Sequence, residues 1–161
     1  MPIFDTLWSN YPLESQDVLF NNTLGGGWPA LVGNPNYVNT CTIRLSVAFN
    51  RSALLVPQTL GLQDGGLTDQ NGNNIVIKVQ TGEQLVRNYF GDYFWGVSHN
   101  PGDPIDLSQL PAQRGILIYR VHALDASGHI DLWDGTGCRN DCHAQFAVSC
   151  YSMALWKAES L

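Results

Sequence analysis

The chain has 161 residues with 44% hydrophobic content, enough to bury a full core and short enough for one domain over residues 1–161. Its 14 acidic residues outnumber 8 basic ones and leave a formal net charge of −6. With no Lys/Arg cluster, that balance argues against nucleic acid or anionic lipid as a partner. No apolar run approaches a membrane span, and Met1-Pro2-Ile3-Phe4-Asp5 lacks the basic and apolar regions of a secretory signal, so a soluble chain outside the general secretory route is expected.

Phe4, Leu7, Trp8 and Tyr11 recur at helical spacing until Pro12, which predicts an N-terminal helix. Gly25 to Pro35 reads as a loop containing Trp28, a residue suited either to a cleft wall or to the core. A buried helix is predicted from Cys41, introduced by Asn39 or Thr40 as cap. Cys41, Leu45, Ala48 and Phe49 fall on one face and Ile43 and Val47 on the other, so it should be covered on two sides. Asn74 to Val79 reads as a short strand, and Thr81-Gly82-Glu83-Gln84 as a capping box opening a helix that runs to Phe90 and stops at Gly91. Gly91 to Pro111 is the longest irregular stretch. Strands are predicted near Gly115 to His122, Gly128 to Asp134 and Ala144 to Trp156, the last including Cys150 as a buried residue. Helices first and an antiparallel sheet afterwards make the class α+β.

Two of these elements carry chemistry. A cysteine in the first turn of a helix feels unpaired backbone N–H groups and the positive end of the helix dipole, both of which favour thiolate. A lone cysteine there is by itself more often a packed small hydrophobe, but the strand Gly128-His129-Ile130-Asp131-Leu132-Trp133-Asp134 supplies a histidine that changes the reading. An imidazolium beside the sulfur lowers its pKa further and later gives a proton to a leaving amine. Order and spacing are those of a papain-like cysteine peptidase. Strand alternation puts His129, Asp131 and Trp133 on one face and turns Asp134 away. The group that orients the imidazole is expected from the turn Cys138-Arg139-Asn140-Asp141-Cys142, as the side chain of Asn140 or Asp141.

The other histidines have plainer readings: His122 as a core or surface residue, His99 as a solvated loop residue, and His143 as a minor candidate for a cleft or a metal. Cys138 and Cys142 can bond if their loop turns tightly, remain thiols, or bind zinc with His143. Zinc would lack an evident fourth ligand, so no metal and no cofactor is expected.

Phe4-Asp5-Thr6-Leu7-Trp8-Ser9-Asn10-Tyr11-Pro12, the turn Gly25-Gly26-Gly27, Asn39-Thr40-Cys41-Thr42-Ile43-Arg44-Leu45-Ser46 and Gly128-His129-Ile130-Asp131-Leu132-Trp133-Asp134-Gly135 together resemble the type VI secretion system amidase effector 4 family. The resemblance extends over most of the chain. It implies a papain-like fold of the NlpC/P60 kind, with N-terminal helices packed on an antiparallel sheet. It also implies hydrolysis of the γ-D-glutamyl to meso-diaminopimelate bond of peptidoglycan stem peptides, with Cys41 as nucleophile and His129 as general base and acid. The third family position, usually aspartate, falls near Asn140 or Asp141, and Cys138 and Cys142 match the family's loop disulfide. By the same resemblance the chain is a toxin made in the cytoplasm. The type VI apparatus would deliver it into the periplasm of rival Gram-negative cells, where the disulfide can form, and a cognate immunity protein would restrain it. The competing readings are a cysteine acyltransferase using the same triad and a non-catalytic wall-binding module.

Overall fold

The computed structural model describes residues 2–100, 106–121, 128–142 and 150–159. Helix α1 (Ile3–Asn10) buries Phe4 and Leu7 and ends where Tyr11 turns extended ahead of Pro12. A short helix α2 (Gln16–Val18) then runs into a π-helical segment, Leu19–Leu24. The sequence reading contains neither, although Leu19, Phe20 and Leu24 are fully buried. Trp28 is also buried, with its indole N–H donating to the Thr68 carbonyl at 3.1 Å, and so belongs to the core.

Helix α3 (Cys41–Arg51) is the centre of the molecule. Cys41, Leu45, Ala48 and Phe49 pack with Phe4, Leu7, Leu85, Ile116, Ile130 and Trp156. Ile43 and Val47 face Leu19, Phe20, Leu24, Trp28 and Ile75 on the other side. The two-sided apolar pattern therefore meets two separate walls. Helix α4 (Gln58–Gln63) follows, and α5 (Val79–Phe90) closes at Gly91, whose φ of 71° is one that glycine tolerates best.

The strand expected at Asn74 to Val79 does not form. Asn74 makes one isolated bridge with Thr68, and Val79 already belongs to α5. Side chains meet the segment's polar groups instead of a sheet. The Val76 N–H donates to Ser46 Oγ, and the Ile77 and Lys78 N–H groups donate to Asp64 Oδ2. Helix α5 starts two residues before the expected capping box, and Asp64, at α4's C-terminus, also accepts from Thr81 Oγ1 and so ties the two helices together.

The sheet has the order β1-β4-β2-β3 and is antiparallel throughout: β1 (Trp95–Ser98), β2 (Gly115–Val121), β3 (Gly128–Trp133) and β4 (Cys150–Lys157). Strand β1 lies inside the stretch expected to be irregular. Residues 144–149 of the last expected strand, and His122 and His143, lie outside the described residues. Central β2 is apolar on both faces. Ile116 and Ile118 face the helices with Ile130 and Leu132, while Leu117, Tyr119 and Val121 face Trp133, Cys150, Met153 and Leu155. The fold is α+β. Strand β3 is left at a sheet edge, and the start of α3 is set against it.

Candidate active site

Cys41 is the first residue of α3, with Thr40 as N-cap. The Thr40 hydroxyl does not cap; it accepts from Arg44 Nε at 2.9 Å. Asn39 does the capping work, since its Oδ1 accepts the Cys41 backbone N–H at 3.3 Å while its Nδ2 donates to the Gly128 carbonyl at 3.4 Å. One side chain thus ties the helix start to the start of β3. Gly82 lets α5 close over the same turn, because a Cβ there would lie 2.8 Å from the Thr42 methyl.

His129, the second residue of β3, is 3% exposed and Cys41 2%. The imidazole hydrogen-bonds the Cys41 sulfur, which also receives the Ile130 backbone N–H and the neighbouring Thr42 hydroxyl at 3.7 Å. Burial alone would raise the thiol's pKa. The hydrogen bond and charge of His129, then the Ile130 N–H and Thr42, outweigh it and hold Cys41 below its ordinary value. Burial would likewise depress His129, but hydrogen bonds to Asp131 and Cys41 raise it to about 10. Both shifts run toward a thiolate facing an imidazolium.

The carboxylate at the imidazole is that of Asp131, whose Oδ2 lies 2.9 Å from His129 Nε2. It is fully buried, and its charge is met by backbone donors: Leu132 N–H at 2.8 Å, Asn140 N–H at 3.1 and 3.2 Å, and Asp141 N–H at 3.2 Å. Asn140 and Asp141, expected to orient the imidazole through a side chain, reach this site through backbone N–H groups that hold Asp131. The signal for Asp131 was present in the sequence, because residues i and i+2 of a strand share a face. Asp134, expected to turn away, accepts from Thr136 and Gly137 N–H and closes the next turn.

Cys138 and Cys142 form a disulfide with Cα atoms 5.5 Å apart, bracketing the two residues that cradle Asp131. Arg139, inside that loop, donates to the Trp8 carbonyl at 3.1 Å and stacks its guanidinium over the Trp8 ring at 4.9 Å. From α3, Arg44 donates to the Pro12 carbonyl at 3.1 Å. The end of α1 is therefore pinned to the site, and between these anchors lies Tyr11, buried, its hydroxyl without a hydrogen-bond partner among the described residues.

Residues 37–156 match the model of the family described as type VI secretion system (T6SS), amidase effector protein 4, Tae4. The chain belongs to that family. None of the curated proteins is a sequence match. Among solved structures, the Tae4–Tai4 effector–immunity complex from Enterobacter cloacae aligns with TM-score 0.80 at 23% identity over 99% of both chains. The Tae4–Tai4 complex from Salmonella Typhimurium gives 0.80 at 18% identity over 98% of both. Tae4 of Enterobacter cloacae alone gives 0.78 at 24% identity, covering 99% of this chain and 98% of the other. These likenesses establish that this amidase effector shares its fold with proteins whose sequences have diverged widely.

Proposed function

We propose that this amidase effector is a peptidoglycan hydrolase in which Cys41 is the nucleophile, His129 the general base and acid, and Asp131 the group that orients His129. The observation that carries this reading is the buried chain Cys41 to His129 to Asp131, with the sulfur at a helix N-terminus and both pKa shifts in the direction of an ion pair. The Cys41 thiolate adds to the amide carbonyl carbon, and the carbonyl's π electrons move to oxygen. The tetrahedral intermediate collapses as the C–N bond breaks and His129 protonates the departing amine. Water, deprotonated by His129, then displaces the sulfur from the thioester and restores the thiolate.

The substrate is the peptidoglycan stem peptide and the scissile bond the γ-D-glutamyl to meso-diaminopimelate amide. The family's description as an amidase effector of type VI secretion supports that choice. The whole chain works as one catalytic domain, delivered into the periplasm of a rival cell. The effector–immunity complexes formed by the similar structures support a cognate immunity protein as its partner. Purified stem-containing muropeptides incubated with the wild type should yield hydrolysed fragments by mass spectrometry. Cys41→Ala should yield none, a loss on the order of 10⁴-fold or more. Transferred rather than hydrolysed stems would mark an acyltransferase, and unchanged stems with the wild type a binding module.

A further inference from the structure

A buried hydroxyl without a partner is costly, and Tyr11 keeps one, among the described residues, at the edge of the candidate active site. Its backbone neighbours are fixed from two directions. Arg44 links the Pro12 carbonyl to Thr40, the residue before the nucleophile. Arg139 links the Trp8 carbonyl to the disulfide loop that cradles Asp131. The ring packs in the same cluster as Cys41, and the hydroxyl is within electrostatic reach of both Cys41 and Asp131.

Attack on an amide creates an oxyanion that needs preorganised donors. The Cys41 N–H is one, but at rest it is held by Asn39 Oδ1 through a long 3.3 Å bond that an oxyanion must displace. The Tyr11 hydroxyl is a donor in the Cys41 cluster that has no acceptor among the described residues. We propose that the Tyr11 hydroxyl is the second hydrogen-bond donor to the oxyanion, acting with the Cys41 N–H; this rests on the hydrolase reading above. The O–H bond stays intact: it donates to the oxygen as the sulfur–carbon bond forms, and is released as the carbonyl re-forms and the amine leaves. Burial first, then the charges of Asp131 and Cys41, push the phenol well above its usual value, which keeps it a neutral donor and excludes a role as base.

Tyr11→Phe removes one oxygen and no hydrogen bond found among the described residues. It should lower kcat about a hundredfold with little change in KM, while Tm stays level or rises. Iodoacetamide alkylation of Cys41, which forms no oxyanion, should proceed at the wild-type rate. An aldehyde analogue of the stem peptide, which adds to the sulfur and develops the same oxygen, should bind the variant more weakly by about the factor lost in kcat. Undiminished kcat, an alkylation rate that falls in step with hydrolysis, or unchanged aldehyde affinity would each overturn the assignment. The wild type's own hydrolysis of stems, measured beside it, tests the parent reading separately. An inactive wild type defeats that reading, whereas an active wild type with an equally active Tyr11→Phe defeats only this inference.

Discussion

Asp131 holds His129 from two residues further along the same strand, at 2.9 Å, while the backbone N–H groups of Asn140 and Asp141 hold Asp131 from a neighbouring loop. Orientation of the base therefore passes through a carboxylate on the strand itself, and the loop acts through its backbone.

Substitutions should separate these roles. Asp131→Asn should lower kcat/KM on the order of 10³- to 10⁴-fold, since an amide does not stabilise the imidazolium as a carboxylate does. It should also cost about 1–3 kcal/mol in stability, because the new NH₂ group meets backbone donors. Asn140→Ala and Asp141→Ala keep their N–H groups and should be mild. Steady-state kinetics and urea unfolding of the three variants check this; a severe Asp141→Ala with a mild Asp131→Asn would return the orienting role to the loop side chain.

The ion pair sets the pH profile. Cys41 is lowered and His129 raised to about 10. As pH falls, the thiolate protonates and the rate drops; as pH rises through about 10, the imidazolium loses the proton it must give to the amine. The rate should therefore rise as the lowered Cys41 thiol ionises, below the pH of an ordinary thiol, and hold until about pH 10. Asp131→Asn removes a group that raises His129, so the alkaline limb should move to lower pH. Profiles of kcat/KM for wild type and variant measure that displacement.

Helix α5 approaches α3 closely at Gly82. Gly82→Ala places a methyl 2.8 Å from the Thr42 methyl, beside the nucleophile. Both groups are buried in regular helices, so relief requires a helix to shift, and the variant should lose about 1–3 kcal/mol of stability. The shift should also slow alkylation of Cys41, because Thr42 contributes to its lowered pKa. Thermal melting and alkylation rates read the two effects.

The bond between Cys138 and Cys142 closes a loop with a sequence separation of only 4, so it removes little unfolded-state entropy and its global contribution should be modest. Its local effect should be larger, since the same loop carries the amides on Asp131. Replacing both cysteines by serine should reduce kcat by roughly tenfold or more through displacement of the base, with a small fall in Tm. Thiol counting of denatured protein with and without reductant establishes the bond, and matched kinetics of the two proteins establish its effect.

Where a local pattern coincided with the buried arrangement, the sequence was readable. The two faces of α3, the alternation of β3 and the stop at Gly91 needed only a period and a cap. The stretch Asn74 to Val79 misled because an apolar β-branched run describes any buried extended chain, and its polar groups found Ser46 and Asp64 instead of a strand. The helical turns from Gln16 to Leu24 and Gln58 to Gln63 are short and carry little periodicity. The turn cysteines mark the loop whose backbone N–H groups hold Asp131. That the loop contributes N–H groups instead of a side chain depends on strand register and loop closure, which residue types do not encode.

Every residue from Cys41 to Phe49 is buried, Arg44 and Ser46 included. A helix enclosed in this way opens only when the walls around it separate. Amide exchange along α3 should then occur at the rate of whole-molecule unfolding, while the turn at Gly65 and Gly66, whose N–H groups are held only by the local carbonyls of Leu62 and Gly61, should exchange faster through local opening. Loss of a reactive sulfur on heating should track loss of the fold itself, so that no intact but inactive form accumulates on the way.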